Sequence, residues 1–278
     1  MSAPILVIGA TGKTGAPIVT ELARRGVEHR AGVRRPAGDR EVHFDWDDPT
    51  TWRPATEGVE TVYLVKPPID PEPPVRAFFE AVPWVGRVIL LSELGRERKP
   101  ASDPERAVEL IVAEQGRRAT ILRPNWFFEN FGPGGGWGPA IRETGEIRLP
   151  TGDTPLAWVG IEDVVDVAVT ALLGEDLGEV DLSGSQPLTV SELAAAIERV
   201  SGREVRHDDP SLEEYRAELV DAGADPMRIA YLMDLVTDAA TGEFARTSDD
   251  IEEILGRPPR LFEDYLAEHA DYWKEGPT

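Results

Sequence analysis

The chain has 278 residues, and 41% of them are hydrophobic, which is enough to bury one large core or one core with a smaller lobe attached. It has 29 basic and 51 acidic residues, and the net charge of −22 is spread along the chain, so nucleic acid and anionic membranes are poor partners. The chain has no cysteine, which excludes a disulfide framework, thiolate catalysis and cysteine-ligated zinc.

The amino-terminal residues show no targeting segment. The stretch Met1–Ile8 lacks the basic start and long apolar run of a signal peptide, and no later run approaches the ~18 apolar residues of a membrane span. We therefore expect a cytoplasmic protein that acts on a small-molecule substrate. The sequence leaves monomer and homodimer open.

The first half of the chain alternates short apolar runs with amphipathic stretches, a pattern typical of a parallel sheet covered by helices. The predicted strands are Ile5–Ile8, Glu28–Val33, Val42–Phe44, Thr61–Val65, Val88–Leu91 and Thr120–Leu122. The predicted helices among them are Ala16–Arg25, Val75–Val82 and Pro104–Gln115. This order predicts an α/β fold with a Rossmann-type doubly wound parallel sheet.

From Leu188 onward the pattern is mainly helical. The predicted helices are Val190–Ser201, Leu212–Ala222, Pro226–Ala239, Ser248–Leu255 and Phe262–Ala270. We therefore predict a Rossmann domain over residues 1–150, whose sheet can recruit later strands up to about residue 185, and a smaller, mainly helical substrate lobe over residues 151–278.

A glycine-rich turn follows the first predicted strand and precedes the first predicted helix. Gly9, Gly12 and Gly15 are spaced Gly-x-x-Gly-x-x-Gly. Such a turn lets the backbone approach a pyrophosphate and directs N–H groups at a helix N-terminus towards its negative charge. An ordinary tight turn would not require this strand–turn–helix context. The segment predicts dinucleotide binding by these glycines and by the other residues of the turn, Thr11, Lys13 and Thr14.

The end of the second predicted strand indicates which dinucleotide binds. An acidic residue there would hydrogen-bond the ribose 2′-hydroxyl of NAD, but this chain has Arg34 and Arg35. Two guanidinium groups can bind a 2′-phosphate, and Lys13 adds positive charge nearby. The alternative is a pair of solvent-exposed arginines. We predict NADP(H) as the cofactor.

Other candidate residues follow the third, fourth and fifth predicted strands, at the edge of the sheet where ligands bind in open α/β folds. Ser92 is the candidate catalytic hydroxyl near the expected nicotinamide, although a helix-capping or turn role explains it equally well. The additional candidate cofactor-binding residues are Asp45, Trp46, Val65, Lys66 and Pro67.

A glycine- and proline-rich segment, residues 131–139, is flanked by aromatic residues. Without those aromatics a flexible surface connection would be the better interpretation, but they favour a pocket wall or lid. Core or partner-facing roles for them remain open. The candidate substrate-binding residues are Asn125, Trp126, Phe127, Phe128, Asn130, Phe131, Trp137 and Trp158.

Two common catalytic arrangements are missing from the sequence. None of the five tyrosines has a lysine four residues later, so the tyrosine–lysine proton donor of many reductases is absent. The four histidines show no metal-ligand spacing, and we expect surface or packing roles for them and no metal site.

Several segments together resemble the NmrA-like branch of the atypical short-chain dehydrogenase/reductases. They are the glycine turn, residues 63–68, 88–92, 120–131, 161–168 and 256–265. Residues 120–131 are similar to the family's T-I-L-R-P-x-x-F-x-E-N stretch. Within the branch, the chain looks closest to festuclavine- and agroclavine-dehydrogenase-like reductases and NADPH:quinone oxidoreductases. The resemblance implies hydride transfer to a small acceptor.

One position departs from the family pattern. Many relatives have a lysine on the helix after the fifth strand, where this chain has Glu105, so a lysine-assisted mechanism cannot be transferred. Two hypotheses follow. The first is an NADPH-dependent reductase of an iminium, enone or quinone, in which an iminium carbon needs no proton donor. The second is a non-catalytic NADP(H) sensor that acts through a protein partner.

Overall fold

The computed structural model describes residues 3–114 and 116–274. In chain order the strands are β1 (Ile5–Ile8), β2 (His29–Val33), β3 (Glu41–His43), β4 (Thr61–Val65), β5 (Arg87–Leu91), β6 (Arg118–Pro124), β7 (Glu146–Arg148), β8 (Glu179–Leu182) and β9 (Arg206–Asp208). The helices are α1 (Gly15–Arg24), α2 (Trp52–Thr56), α3 (Glu72–Ala81), α4 (Pro104–Glu114), α5 (Gly138–Thr144), α6 (Ile161–Leu173), α7 (Val190–Ser201), α8 (Leu212–Asp221), α9 (Pro226–Ala240), α10 (Asp250–Leu255), α11 (Phe262–Glu268) and α12 (Ala270–Lys274).

The main sheet is parallel throughout its described strands. Its order is β3-β2-β1-β4-β5-β6-β8. The chain runs outward from β1 to β3 and then crosses back to β4, so the strand order reverses between β1 and β4. Ligand crevices in open α/β sheets lie outside the carboxyl ends of the strands at such a reversal. The predicted Rossmann-type doubly wound sheet is confirmed.

Alternate residues of the strands build the core beneath this edge. Leu6 of β1 and Leu64 of β4 belong to one buried cluster with Phe78 of α3 and Ile111 of α4. Burying each such side chain stabilises the fold by about 1.5–3 kcal/mol. Because successive side chains of a strand point to opposite faces, Tyr63 lies on the other face of β4, where it is also fully buried.

Contacts within the chain divide it into two compact units. The first contains Met1–Pro124 and Glu162–Leu182, and the second contains Asn125–Ile161 and Ser183–Thr278. Strand β8, which lies beyond residue 150, returns to the main sheet and pairs with β6, within the limit of about residue 185 expected for later strands of this sheet. The chain therefore leaves the first unit at residue 125 and re-enters it at residue 162.

The second unit combines helices with a two-stranded parallel ladder of β7 and β9. Helix α7 begins with a capping box, in which the Thr189 hydroxyl accepts from the Glu192 backbone N–H and the Glu192 carboxylate accepts from the Thr189 N–H. The predicted helix over 262–270 is divided into α11 and α12. The predicted helix over 104–115 is described as far as Glu114, and Gln115 lies outside the described residues.

Within residues 3–114 and 116–274, no helix is both long and apolar enough to cross a membrane. Over the same residues, no three or more histidine, aspartate or glutamate side chains are grouped in a way that could hold a metal ion.

Candidate functional site

The glycine turn between β1 and α1 is closed so tightly that side chains are excluded from it. The Gly12 N–H donates to the Gly9 carbonyl at 2.9 Å, and Gly9 has a positive φ of 81°. A Cβ on Gly15 would lie 2.1 Å from the Gly9 oxygen, and one on Gly9 would lie 2.8 Å from the Val65 Cβ. The turn therefore requires glycine at both positions.

The N-terminus of α1 has the features of an anion site. Its N-cap residue Thr14 makes no side-chain capping hydrogen bond, and the first turn contains no acidic residue. The Thr14 hydroxyl instead accepts a 2.9 Å hydrogen bond from the Tyr63 hydroxyl. Burial raises the pKa of Tyr63 well above its ordinary value, so this donor keeps its proton. The uncapped helix end, preceded by exposed Lys13, matches what a pyrophosphate requires.

The ends of β3 and β4 meet beside this turn. The indole N–H of Trp46, just beyond β3, donates to the Val65 carbonyl at 3.2 Å. The side chain of Val65 is the group that a Cβ on Gly9 would strike. The Asp45 carbonyl accepts from the Trp52 indole at 2.8 Å, which fixes the path of the chain before Trp46. The structure thus brings together three sequence-predicted segments, namely the turn, Asp45–Trp46 and Val65–Pro67.

Arg34 and Arg35 follow β2 and are both exposed. Val33, the residue before them, pairs in register with His43 of β3. His43 of the neighbouring strand therefore lies beside the residue that precedes the arginine pair. The sequence analysis did not identify this neighbour. The described residues record no ion pair for either guanidinium, so both groups can meet an anionic ligand.

Ser92 belongs to a buried charged network at the ends of β5 and β6. Its hydroxyl donates to Glu109 of α4, and the same carboxylate accepts from the Arg123 guanidinium at 2.9 Å through Nε and Nη2. Burial raises the pKa of Glu109, but the hydrogen bonds from Arg123 and Ser92, with the Arg123 charge, outweigh it and leave the pKa below its usual value. Glu109 is ionised at neutral pH and holds the only hydroxyl proton of Ser92.

A second charged group lies at the end of β4. The Lys66 ammonium is 2.7 Å from a Glu105 carboxylate oxygen and 3.1 Å from one of Glu93. The Arg96 guanidinium donates to the other oxygen of Glu93 at 2.9 Å. Only 12% of the Lys66 side chain is exposed. Pro67, next in the chain, is buried.

Aromatic residues of the second unit form one connected cluster. The rings of Trp126 and Trp137 are nearly parallel with centroids 6.0 Å apart, and both residues are half-buried. Phe131 and Trp158 are buried, and their rings lie 5.0 Å apart. The Trp158 indole donates to the Leu188 carbonyl at 2.8 Å.

The remaining candidates of this segment lie around that cluster. The Asn125 amide donates to the Phe244 carbonyl at 2.9 Å, and Phe127 is half-buried and bridges to Val159. Phe128 is buried against Tyr265, with ring centroids 5.1 Å apart. The Asn130 carbonyl accepts from the Trp137 N–H at 2.9 Å.

The glycine-rich loop between these aromatics is closely packed. A Cβ on Gly135 would lie 2.3 Å from the Asn130 carbonyl oxygen, and one on Gly138 would lie 2.1 Å from that of Gly132. These glycines therefore serve close backbone approach in an ordered turn.

Sequence reasoning did not identify Tyr63, Glu93 or Glu109 as part of this arrangement. A signal for Glu109 was present, since it falls within the apolar stripe of α4 formed by Val108, Ile111 and Val112. A carboxylate on that stripe must be paired when buried. Its partners could not be named, because Ser92 and Arg123 lie on separate strands.

No protein-family model matches the sequence. The chain is 32% identical to a (4-alkanoyl-5-oxo-2,5-dihydrofuran-3-yl)methyl phosphate reductase of Streptomyces griseus over 96% of this chain and 98% of that protein. It is 31% identical to agroclavine dehydrogenase of Claviceps fusiformis over 97% and 98%. Its fold matches the NADPH complex of quinone oxidoreductase QOR2 from Escherichia coli with a TM-score of 0.82, 24% identity and coverage of 95% and 99%.

Proposed function

The chain belongs to the NmrA-like atypical short-chain dehydrogenase/reductase family of NAD(P)H-dependent oxidoreductases, and we propose that it reduces a small, apolar or conjugated acceptor with NADPH. The observation that supports this most is the closed glycine turn before the uncapped N-terminus of α1. Bound there, NADPH would supply the hydride. Iminium ions, enones and quinones are the acceptor classes that we propose.

The residues of the first unit divide into those that hold phosphate and those that line the rest of the cofactor. In our proposal Gly9, Gly12 and Gly15 bring the backbone to the pyrophosphate, with Thr11, Lys13 and Thr14 around it. The 2′-phosphate contacts Arg34 and Arg35. The lining beyond the turn is formed by Asp45, Trp46, Val65, Lys66 and Pro67.

Arg34 gives a direct test of cofactor preference. Arg34→Ala is expected to weaken NADPH binding about 10- to 100-fold, because charge-assisted hydrogen bonds contribute roughly 1.5–3 kcal/mol each. NADH affinity should change less than about twofold, since NADH has no 2′-phosphate for the guanidinium to bind. Both affinities are measured by titration calorimetry.

Arg25→Ala is the matched control for this test, because Arg25 is exposed and follows the far end of α1, where it pairs with Glu21. It should bind both cofactors like the wild type. Equal losses for NADPH and NADH in Arg34→Ala would refute the proposed 2′-phosphate contact.

For the second unit we propose that the acceptor contacts the half-buried aromatic residues Trp126, Phe127 and Trp137. The buried rings of Phe128, Phe131 and Trp158 hold them in place, and Asn125 and Asn130 set the backbone of the segment. Flat aromatic faces favour planar, conjugated molecules. A relative named above supports this choice, since it is called a (4-alkanoyl-5-oxo-2,5-dihydrofuran-3-yl)methyl phosphate reductase.

In this proposal Ser92 is the ligand-orienting hydroxyl of the first unit. Because its proton is directed at the ionised Glu109, its oxygen offers lone pairs to a ligand. It can therefore accept a hydrogen bond or face a cation, as an iminium would provide.

The proposed reaction is tested with NADPH and a panel of cyclic iminium ions, enones and quinones, by following cofactor absorbance. We expect turnover with at least one class. NADPH binding without turnover across the panel would favour the NADP(H)-sensing alternative.

A further inference from the structure

We propose that Lys66 is the proton donor of the reduction, and that it acts on acceptors whose oxygen gains negative charge. The inference rests on the proposed function, and it concerns the ammonium group that Glu93 and Glu105 hold at the carboxyl end of β4.

The position of Lys66 places it at the ligand edge of the sheet. Strands β1 and β4 are neighbours, and the strand order reverses between them. Val65, one residue before Lys66, packs so close to Gly9 that a Cβ there would lie 2.8 Å from its own Cβ. Lys66 therefore leaves the sheet directly beside the glycine turn, at the crevice where a dinucleotide binds.

At least one N–H group of the Lys66 ammonium has no acceptor among the described residues. An ammonium has three N–H groups, and among the described residues Lys66 donates one hydrogen bond to Glu93 and forms an ion pair with Glu105. The two hydroxyls nearby are already engaged, since Ser92 donates to Glu109 and Tyr63 donates to Thr14. The third N–H of Lys66 can therefore meet a ligand.

Two ion pairs remove most of the freedom of this long side chain. Glu105 lies on α4 and is buried, and Glu93 is itself held by Arg96, which is 2% exposed. A free lysine side chain would lose up to about 2 kcal/mol of rotamer entropy when it binds a ligand. In this protein the two ion pairs fix the Lys66 side chain when the chain folds, so the ammonium is already in place for the reaction.

The reduction moves one hydride and one proton to the acceptor, and Lys66 is the source of the proton. Bound NADPH would supply a hydride to a carbon of the acceptor and become NADP⁺, and an electron pair would then lie on the acceptor oxygen. The Lys66 N–H bond breaks as an O–H bond forms, and solvent returns the proton to the lysine. An iminium ion differs, because the hydride converts it into a neutral amine and no proton is needed.

The experiment compares acceptors that need a proton with an iminium acceptor, which needs none. Lys66→Met is expected to lower kcat about 100-fold with an enone or quinone, the usual effect of removing one donor from a developing oxyanion. With a cyclic iminium acceptor, kcat should fall less than about threefold. Lys66→Arg keeps a cation with N–H donors but does not release a proton, so it should recover less than about threefold of the loss.

Circular dichroism reports whether each variant still folds, NADPH affinity reports separately whether it still binds cofactor, and Lys274→Met is the control for loss of an exposed lysine. Equal losses with both acceptor classes would show a structural role and overturn the inference. An unchanged kcat with the enone in Lys66→Met would also overturn the inference. A wild type that reduces iminium ions alone would overturn it as well. A wild type that binds NADPH and reduces no acceptor would overturn the proposed function itself.

Discussion

Glu109→Gln is expected to lower the free energy of unfolding by about 3 kcal/mol at neutral pH. Removing one partner of a buried ion pair leaves an uncompensated charge, which typically costs about 3–5 kcal/mol. The Glu109 side chain is fully buried, and the Arg123 side chain is 3% exposed. Arg123 keeps a 2.7 Å contact with the largely exposed Glu179, so the lower end of that range applies. The measurement is urea unfolding followed by circular dichroism.

The stability difference between the wild type and Glu109→Gln is expected to change with pH in one direction. The folded pKa of Glu109 lies below its ordinary value, so its contribution is fully present above about pH 4.3, the unfolded glutamate pKa, and is lost as the pH falls through the folded value. The stability difference between wild type and Glu109→Gln should therefore shrink in acid. Glu80→Gln is the control, since Glu80 is exposed on α3 and should change stability by less than about 0.5 kcal/mol. A difference that grows in acid would contradict this account of Glu109.

Gly15→Ala is expected to weaken NADPH binding at least about 100-fold, which corresponds to about 3 kcal/mol. The new methyl group would lie 2.1 Å from the Gly9 carbonyl oxygen, and because that oxygen is backbone, the turn itself must open. Opening displaces the N–H groups that the pyrophosphate needs. Titration calorimetry gives the affinity.

Gly86→Ala is the matched control for the glycine turn. Gly86 immediately precedes β5, at the opposite edge of the sheet, and a Cβ there would meet nothing within 4 Å. It should bind NADPH as the wild type does. If Gly15→Ala binds NADPH within about threefold of the wild type, the turn does not hold the pyrophosphate.

The sequence predicted the parts of this fold that depend on local pattern. The strand Ile5–Ile8, the glycine turn and the following helix occupy neighbouring positions in the chain, and the change from an apolar strand to an amphipathic helix is visible there. The sheet was predicted on the same basis, and its described strands confirm it.

Long-range pairing could not be predicted in this way. The two units are interleaved because β8 joins β6, and no local pattern identifies the neighbour of a four-residue strand. Likewise, Tyr63 and Thr14 are 49 residues apart, so their hydrogen bond depends on the sheet that brings them together.

The role of Glu105 shows the same limit in the candidate site. From the sequence, Glu105 only ruled out the transfer of a lysine-assisted mechanism. In the structure its carboxylate holds Lys66, from another element 39 positions away, so a cation is present at this edge after all. The contact between Glu105, at the start of α4, and Lys66, just after β4, depends on how the fold places these two ends. Neither segment predicts it alone.

We propose that this protein transfers hydride from NADPH to an organic acceptor. NADPH deuterated at C4 of the nicotinamide follows this transfer, by mass spectrometry of the product from the enone, quinone and iminium panel. We predict deuterium on carbon in the enone and iminium products and one NADP⁺ formed for each acceptor reduced. Tight NADPH binding with no deuterium transfer and no NADP⁺ from any acceptor would contradict the claim.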